Sequence, residues 1–255
     1  MEVILTFLVI HWFGSLFFQT FFLHRYSSHG LIKMGPINEK ISYFLTFIFQ
    51  GPSFLNPQAY AIMHQAHHAY SDGPLDPHSP KQNPSLFKMM FKTYKTYLSI
   101  LQKNHPFCDK FKPYVSEWKV LNTFAESWLT RIAWGILYFY IYKIYSPHPI
   151  FFTLLIFHFF MGPIHGAIVN WCGHKYGYKN FLGKDESTNT LKKDFLMMGE
   201  LFQNNHHHRP KSLNFAYNKT EIDPTYWILK FLESLNFLQL VDKPPKGKSL
   251  RNNLS

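Results

Sequence analysis

Apolar and polar residues follow one another along this chain in long blocks, not at the spacing of a single soluble amphipathic fold. Residues 3–23 carry no formal charge and have the length of one bilayer crossing, which takes about 20 residues. His11 and Gln19 lie inside this block and are expected to face protein rather than lipid. A cleavable signal peptide is the competing reading, but the block lacks the basic leading region of one, and histidines begin at its end. Residues 41–63 are also apolar, yet Gly51-Pro52 and Asn56-Pro57 interrupt them. The uninterrupted part is too short to span, which predicts a re-entrant or interfacial segment leading into a helix. Residues 80–123 are polar and Lys-rich, with amphipathic helical character around 86–101. Residues 128–145 read as a second span, with Arg131 and Lys143 near its ends, where they can snorkel. The turn Ser146-Pro147-His148-Pro149 makes a hairpin with a third span, 150–171, in which Gly162-Pro163 signals a kink. A last helix is expected near 226–238, and a disordered basic tail over 243–255.

The pattern therefore predicts an all-α, integral membrane helical bundle, one domain over 1–242, with its polar segments gathered as a helical cap on one face. The amino terminus is expected outside, with an even number of crossings if 41–63 spans after all. Composition adds little to the fold but something to its surroundings. Charged residues are 16% of the chain, low against the ~25% of a soluble domain. The net charge of +11 admits a nucleic acid, a membrane surface or an acidic protein partner. No nucleic-acid-binding module is present, and the basic residues crowd between and after the apolar blocks, as cytoplasmic loops do. Cys108 and Cys172 are far apart and read as thiols in a reducing compartment.

The chemistry is in the histidines. His64-Gln65-Ala66-His67-His68 puts three imidazoles on one helical face at i, i+3 and i+4, where they could bind a transition metal or merely be neighbours on a surface. Gln203, His206 and His207 repeat that spacing, whereas His208 points elsewhere. Asn170 and His174 share a face at i, i+4. His24 and His29, at i, i+5, do not align on a straight helix; they meet if the helix ends between them. All four clusters fall at the ends of the apolar blocks or in the polar segments, around one membrane face. Eight imidazoles (His24, His29, His64, His67, His68, His174, His206, His207) exceed what one ion needs and suit two, although ligand type alone does not choose between Fe, Zn and Cu.

The segments HRYSSH (24–29), HQAHHAYSDGPLDPHSP (64–80), NWCGHKYGY (170–178) and GELFQNNHH (199–207) resemble the histidine boxes of membrane fatty acid desaturases, specifically the acyl-CoA Δ9 (stearoyl-CoA-type) family. The resemblance runs in order from about His11 to Leu240 and includes the flank Glu221-Ile222-Asp223-Pro224-Thr225-Tyr226. It implies a membrane-embedded enzyme with two Fe ions that uses O₂ and two electrons to put a cis double bond into a saturated acyl chain, carried by coenzyme A or another acyl carrier. The eight histidines would be iron ligands, and Asn170 would reach one iron through water. Asp72, Asp76 and His78 would stand behind the ligands and orient their rings. Gln203 stands where the family has histidine, which leaves a weak ligand or an open position and makes the two irons unequal. The chain also has one apolar block before the first box where eukaryotic members have two, and it carries no HPGG haem-binding segment. It is similar to the short bacterial form. Electrons are then expected from a separate carrier such as ferredoxin or cytochrome b5 with its reductase, at a bacterial inner membrane with the site facing the cytoplasm. Tyr60, Gly166 and Ala167, one turn before box residues, are candidate lining for a substrate tunnel, as against ordinary helix packing. A di-iron hydroxylase or ketolase of lipids, alkanes or carotenoids shares the boxes, and an inactive metal-binding homologue is the non-enzymatic alternative.

Overall fold

The computed structural model describes residues 1–241, so the tail expected at 243–255 lies outside the described residues. The first apolar block forms α1, Glu2–Phe18, and does not stop there. It continues as a π-helical stretch, Gln19–Ser28, in which every residue is buried. This corrects the expectation that the helix ends between His24 and His29. In a π-helix residue i+5 stacks back on residue i, and the His29 N–H donates to the His24 carbonyl at 3.2 Å. The wider winding thus turns an i, i+5 pair into neighbours, with ring centroids 5.0 Å apart.

Residues 41–63 run through two helical arms joined by a tight turn. The first, α2, is Pro36–Gln50 and the second, α3, is Pro57–Tyr70, joined through a 3-10 turn at Gly51–Ser53. Gly51 has φ +53°, and a Cβ there would lie 2.2 Å from the Tyr138 hydroxyl, so only glycine fits this reversal. Asn56 caps α3 by accepting from the N–H groups of Gln58 and Ala59, with Pro57 in the first turn, where its missing N–H costs nothing. The polar segment supplies α4, Leu86–Leu101, and the short α5, Phe107–Lys110, and α6, Lys119–Glu126.

The second hairpin consists of α7, Trp128–Tyr145, a 3-10 run, Pro149–Leu154, and α8, Leu155–Gly173. The helix of α8 is distorted at Phe160 (φ −123°, ψ 22°), three residues before Pro163, whose ring crowds the carbonyl four residues back. Gly162 instead donates its N–H to the Ser53 hydroxyl of the Gly51–Ser53 turn, at 3.1 Å. Among the described residues, Glu2–Ser28 and Pro149–Gly173 are long and apolar enough to cross a membrane; α7 is not one of them. Its outer face nevertheless exposes Ile132, Ile136, Phe139 and Tyr140, a contiguous apolar surface of the kind that meets lipid or protein.

His11 is buried, as expected, and so is His158 of α8. Their Nδ1 atoms are 2.6 Å apart, the Tyr138 hydroxyl reaches His11 at 3.3 Å, and the Tyr142 hydroxyl reaches His158 at 2.9 Å. Four polar side chains thus satisfy one another in an apolar bundle, which fixes the register of α1, α7 and α8. After α8 the chain is largely irregular, apart from α9, Gln203–His208, and α10, Pro224–Ser234. The one departure from an all-helical fold among named elements is the two-residue antiparallel pair β1 (Ile32–Lys33) and β2 (Gln239–Leu240), which ties the last described residues to the segment after the first histidine box.

Candidate metal centre

Three helices and the π-helical stretch converge their histidines at one place. His24 and His29 come from the π-helix and its end, His64, His67 and His68 from α3, His174 from the end of α8, and His206 and His207 from α9. Their ligand atoms fall into two groups, each within 4.8 Å: His24, His29, His64, His68 and His206 in one, and His67, His174 and His207 in the other. In the first group Nε2 faces Nε2, at 3.0 Å for His24 and His206, 2.8 Å for His29 and His64, 3.0 Å for His64 and His68, and 2.8 Å for His68 and His206. Nitrogens about 2.1 Å from a shared metal are themselves about 3.0 Å apart at right angles and about 3.4 Å apart at the tetrahedral angle.

The opposite edge of several rings decides what these contacts are. His24 Nδ1 donates to Glu200 at 2.6 Å, His67 Nδ1 to Asp76 at 2.9 Å, His174 Nδ1 to Asp72 at 3.0 Å and His207 Nδ1 to Asp185 at 2.7 Å. A carboxylate on Nδ1 fixes the tautomer and leaves Nε2 with its lone pair. His67 Nε2 and His207 Nε2 are 3.2 Å apart with both Nδ1 protons already committed, so two lone pairs oppose each other and a cation between them is what the pair fits. His174 Nε2 is buried with no partner, as a ligand awaiting its ion would be. Burial and the neighbouring imidazoles hold His29, His64, His67, His68 and His206 well below the ordinary imidazole pKa, which keeps them neutral and able to ligate.

The turn after α3 folds back to carry the carboxylates. Asp72, in the left-handed region at φ +58°, also accepts from the Ser79 hydroxyl at 2.6 Å and the Glu186 N–H at 2.7 Å. Burial opposes its ionisation, but the His174 hydrogen bond and charge outweigh it and hold the carboxyl below its usual range. Asp76 accepts from the Asp72 and His78 backbone N–H groups as well as from His67. His78 does not orient a ligand ring by hydrogen bonding, contrary to expectation: both of its ring nitrogens are unpartnered, and the ring packs on His67 with centroids 4.3 Å apart. The reason is that Asp76, not His78, takes the His67 Nδ1 proton.

Two orienting carboxylates were not foreseen. Asp185 lies in an irregular loop with no spacing signal. Glu200 stands in the quoted GELF segment, but only the fold shows its partner 176 residues away. Glu200 also accepts from the Thr20 hydroxyl and from Arg25 at 3.1 Å. Arg25 is wholly buried, with Asp223 at 2.8 Å and its guanidinium 3.8 Å over the Phe215 ring. A buried guanidinium is tolerable only when so fully paired.

Gln203, Asn170, Tyr60 and Gly166 line one cavity that reaches His24 and His64; Ala167 is not part of its lining. The Gln203 amide nitrogen donates to the Glu200 carbonyl at 2.6 Å, and that of Asn170 to the Gly166 carbonyl at 2.8 Å. His208 is turned away and stacks on Phe181, with centroids 4.1 Å apart.

Residues 2–220 match the family model for fatty acid desaturases. The chain belongs to the fatty acid desaturase family. It is 27% identical over 228 residues to the Delta-9 desaturase-like 4 protein of Arabidopsis thaliana, covering 88% of this chain and 72% of that protein. It is 25% identical over 246 residues to the sn-1 stearoyl-lipid 9-desaturase of Anabaena variabilis, covering 92% and 84%. It is 25% identical over 257 residues to the hex-5-enoyl-[acyl-carrier protein] acetylenase of Moorena producens, covering 91% and 75%. Membership makes this desaturase-family chain an oxidoreductase acting on acyl chains, and the clustered histidines fit a metal site.

Proposed function

We infer that the protein is an O₂-dependent fatty acyl desaturase of the bilayer, with two irons held by the two histidine groups. The observation that carries this reading is the pair of opposed lone pairs at His67 and His207, each ring pinned from behind by a carboxylate. His24, His29, His64, His68 and His206 would hold one iron and His67, His174 and His207 the other, with Asn170 acting through water. Two reduced irons held there would let O₂ act as the oxidant that removes hydrogen from unactivated methylenes. The net change is –CH₂–CH₂– plus O₂, two electrons and two protons giving –CH=CH– and two waters.

The chain's own part is placement. Tyr60, Met63, Tyr94, Tyr97 and Gly166 make a largely apolar cavity that ends on His24 and His64; it would present one C–C bond to the metals and keep bulk water away. Asp72, Asp76, Asp185 and Glu200 hold the rings in the tautomer that ligates. We take the double bond to be cis and at Δ9, and the carrier to be coenzyme A, whose phosphates suit the basic polar segments. A separate redox protein, a ferredoxin or cytochrome b5 with its reductase, would supply electrons at a cytoplasmic face.

Protein in lipid vesicles, supplied with O₂, a reduced donor and stearoyl groups on coenzyme A, on acyl carrier protein or in phospholipid, tests this. An alkene formed from the coenzyme A substrate is expected, and an oxygenated product without an alkene would make the protein a hydroxylase. Turnover confined to Gln203→His would make the natural chain an inactive homologue. His67→Ala and His206→Ala should abolish turnover and lower bound iron, whereas His105→Ala and His148→Ala, outside the site, should do neither.

A further inference from the structure

The two histidine groups are unequal, with five rings in one and three in the other. At the place where α9 repeats the spacing of α3, Gln203 offers an amide in place of an imidazole. That amide is already engaged: its nitrogen donates to the Glu200 carbonyl at 2.6 Å. Its stem packs on Gly173, where an added Cβ would fall 2.3 Å from the Gln203 Cγ. Gln203 is therefore wedged in place, and its remaining oxygen is a neutral and weak donor toward a transition metal.

His78 presents the opposite case. It is 3% exposed, and neither ring nitrogen has a hydrogen-bond partner. Two buried unpaired imidazole nitrogens are costly, and ligation would satisfy one of them. The ring lines the same cavity as Gln203 and Asn170. Its centroid is 4.3 Å from that of His67, close to the 4.8–5.0 Å that separates the three rings of the smaller group from one another. His67, Asp76 and His78 form a separate group of ligand atoms within 4.8 Å, and His78 as placed is not among the ligand atoms grouped with His174 and His207.

We propose that His78, and not Gln203, completes the smaller metal site as a fourth imidazole beside His67, His174 and His207. Ligation asks of His78 a rotation from its place on His67 toward His174 and His207, and since its nitrogens hold no hydrogen bond, the rotation breaks none. The backbone N–H of His78 stays on Asp76 at 3.0 Å, which fixes the base from which the ring turns. The loss of a histidine at 203 is thereby offset from α3's own turn, and two metals are retained. This inference rests on the two-metal reading above.

The test is the metal content of the full chain purified in detergent and loaded with ferrous iron, measured per chain by mass spectrometry. Wild type and Gln203→Ala should hold two ions and His78→Ala about one. The double variant His78→Ala/Gln203→His, which returns an imidazole to α9, should hold two again. His78→Ala retaining two ions overturns the proposal, as does Gln203→Ala falling to one. A double variant that stays at one would assign the loss to packing and likewise overturn it. Wild type binding fewer than two ions would instead defeat the two-metal reading itself.

Discussion

Glu200 Oε2 lies 2.6 Å from His24 Nδ1, and the far nitrogen of the same ring lies 3.0 Å from His206 Nε2. One carboxylate thereby aims one ring of the five-histidine group, while Asp185 does the same for His207 of the other. Removing such a partner commonly costs 10–100-fold in metal affinity. Glu200→Gln keeps an acceptor but loses the charge, so the metal of the larger group should bind about 10–100-fold more weakly while the other is unchanged. Asp185→Asn should give the reverse. Chelator titrations that resolve the two ions check this; equal weakening of both sites by either variant would break the assignment.

The clustering of the histidines is legible in the sequence because helical spacing is short-range: His64, His67 and His68 meet on α3 by geometry that their own stretch dictates. The sequence made the apolar blocks legible for the same reason, and α4 falls on the expected 86–101. It misplaced the first helix end because nothing in HRYSSH distinguishes a π-helix from a terminus. It missed Asp185 and Glu200 because their partners lie 22 and 176 residues away, and it set His78 beside Asp76 as a residue that orients a ligand ring, whereas of these two Asp76 alone hydrogen-bonds one. Long-range pairing is set by how the elements pack.

Gly199 holds Glu200 in place through backbone shape. Its φ is +93°, and a Cβ would fall 2.3 Å from Asp223 Oδ1, the carboxylate that pairs with Arg25 and caps α10. Gly199→Ala should therefore cost at least about 2 kcal/mol of stability and weaken the metal beside His24. Gly35→Ala, at φ −68° with nothing near its Cβ position, is the matched control and should leave metal content unchanged. Denaturant midpoints and metal content of the two variants decide it.

Gly166 lines the cavity, and a Cβ there meets open space. Gly166→Ala should add about 0.5–1 kcal/mol of helix stability and only narrow the cavity. Gly166→Phe should obstruct it, lowering kcat/KM for stearoyl substrates at least about tenfold, equivalent to 1.4 kcal/mol, with iron content unchanged. Product profiles across acyl chain lengths, beside metal analysis, check this. Unchanged turnover of long chains by the Phe variant would take Gly166 out of the substrate path.

Asp194 sets the loop that carries Glu200. It is fully buried, and its two oxygens accept from the N–H groups of Met197, Gly199 and Leu201 at 2.8–3.0 Å. Burial pushes its pKa up from 3.8 to about 6, although those three N–H groups favour the charged form. The folded chain then holds this proton more tightly than the unfolded chain does. Its contribution to stability is full below about pH 4 and is lost as pH rises to about 6, by up to about 3 kcal/mol at 1.36 kcal/mol per unit. Asp194→Asn cannot titrate, so the stability of wild type relative to this variant should fall by about that amount between pH 4 and pH 7. Comparing the two chains at each pH cancels the titration of the other carboxylates and of the histidines. Denaturant unfolding in detergent at pH 4, 5, 6 and 7 measures the difference. A difference that stays flat or grows with pH would mean that the three N–H groups outweigh burial and that Asp194 is charged throughout.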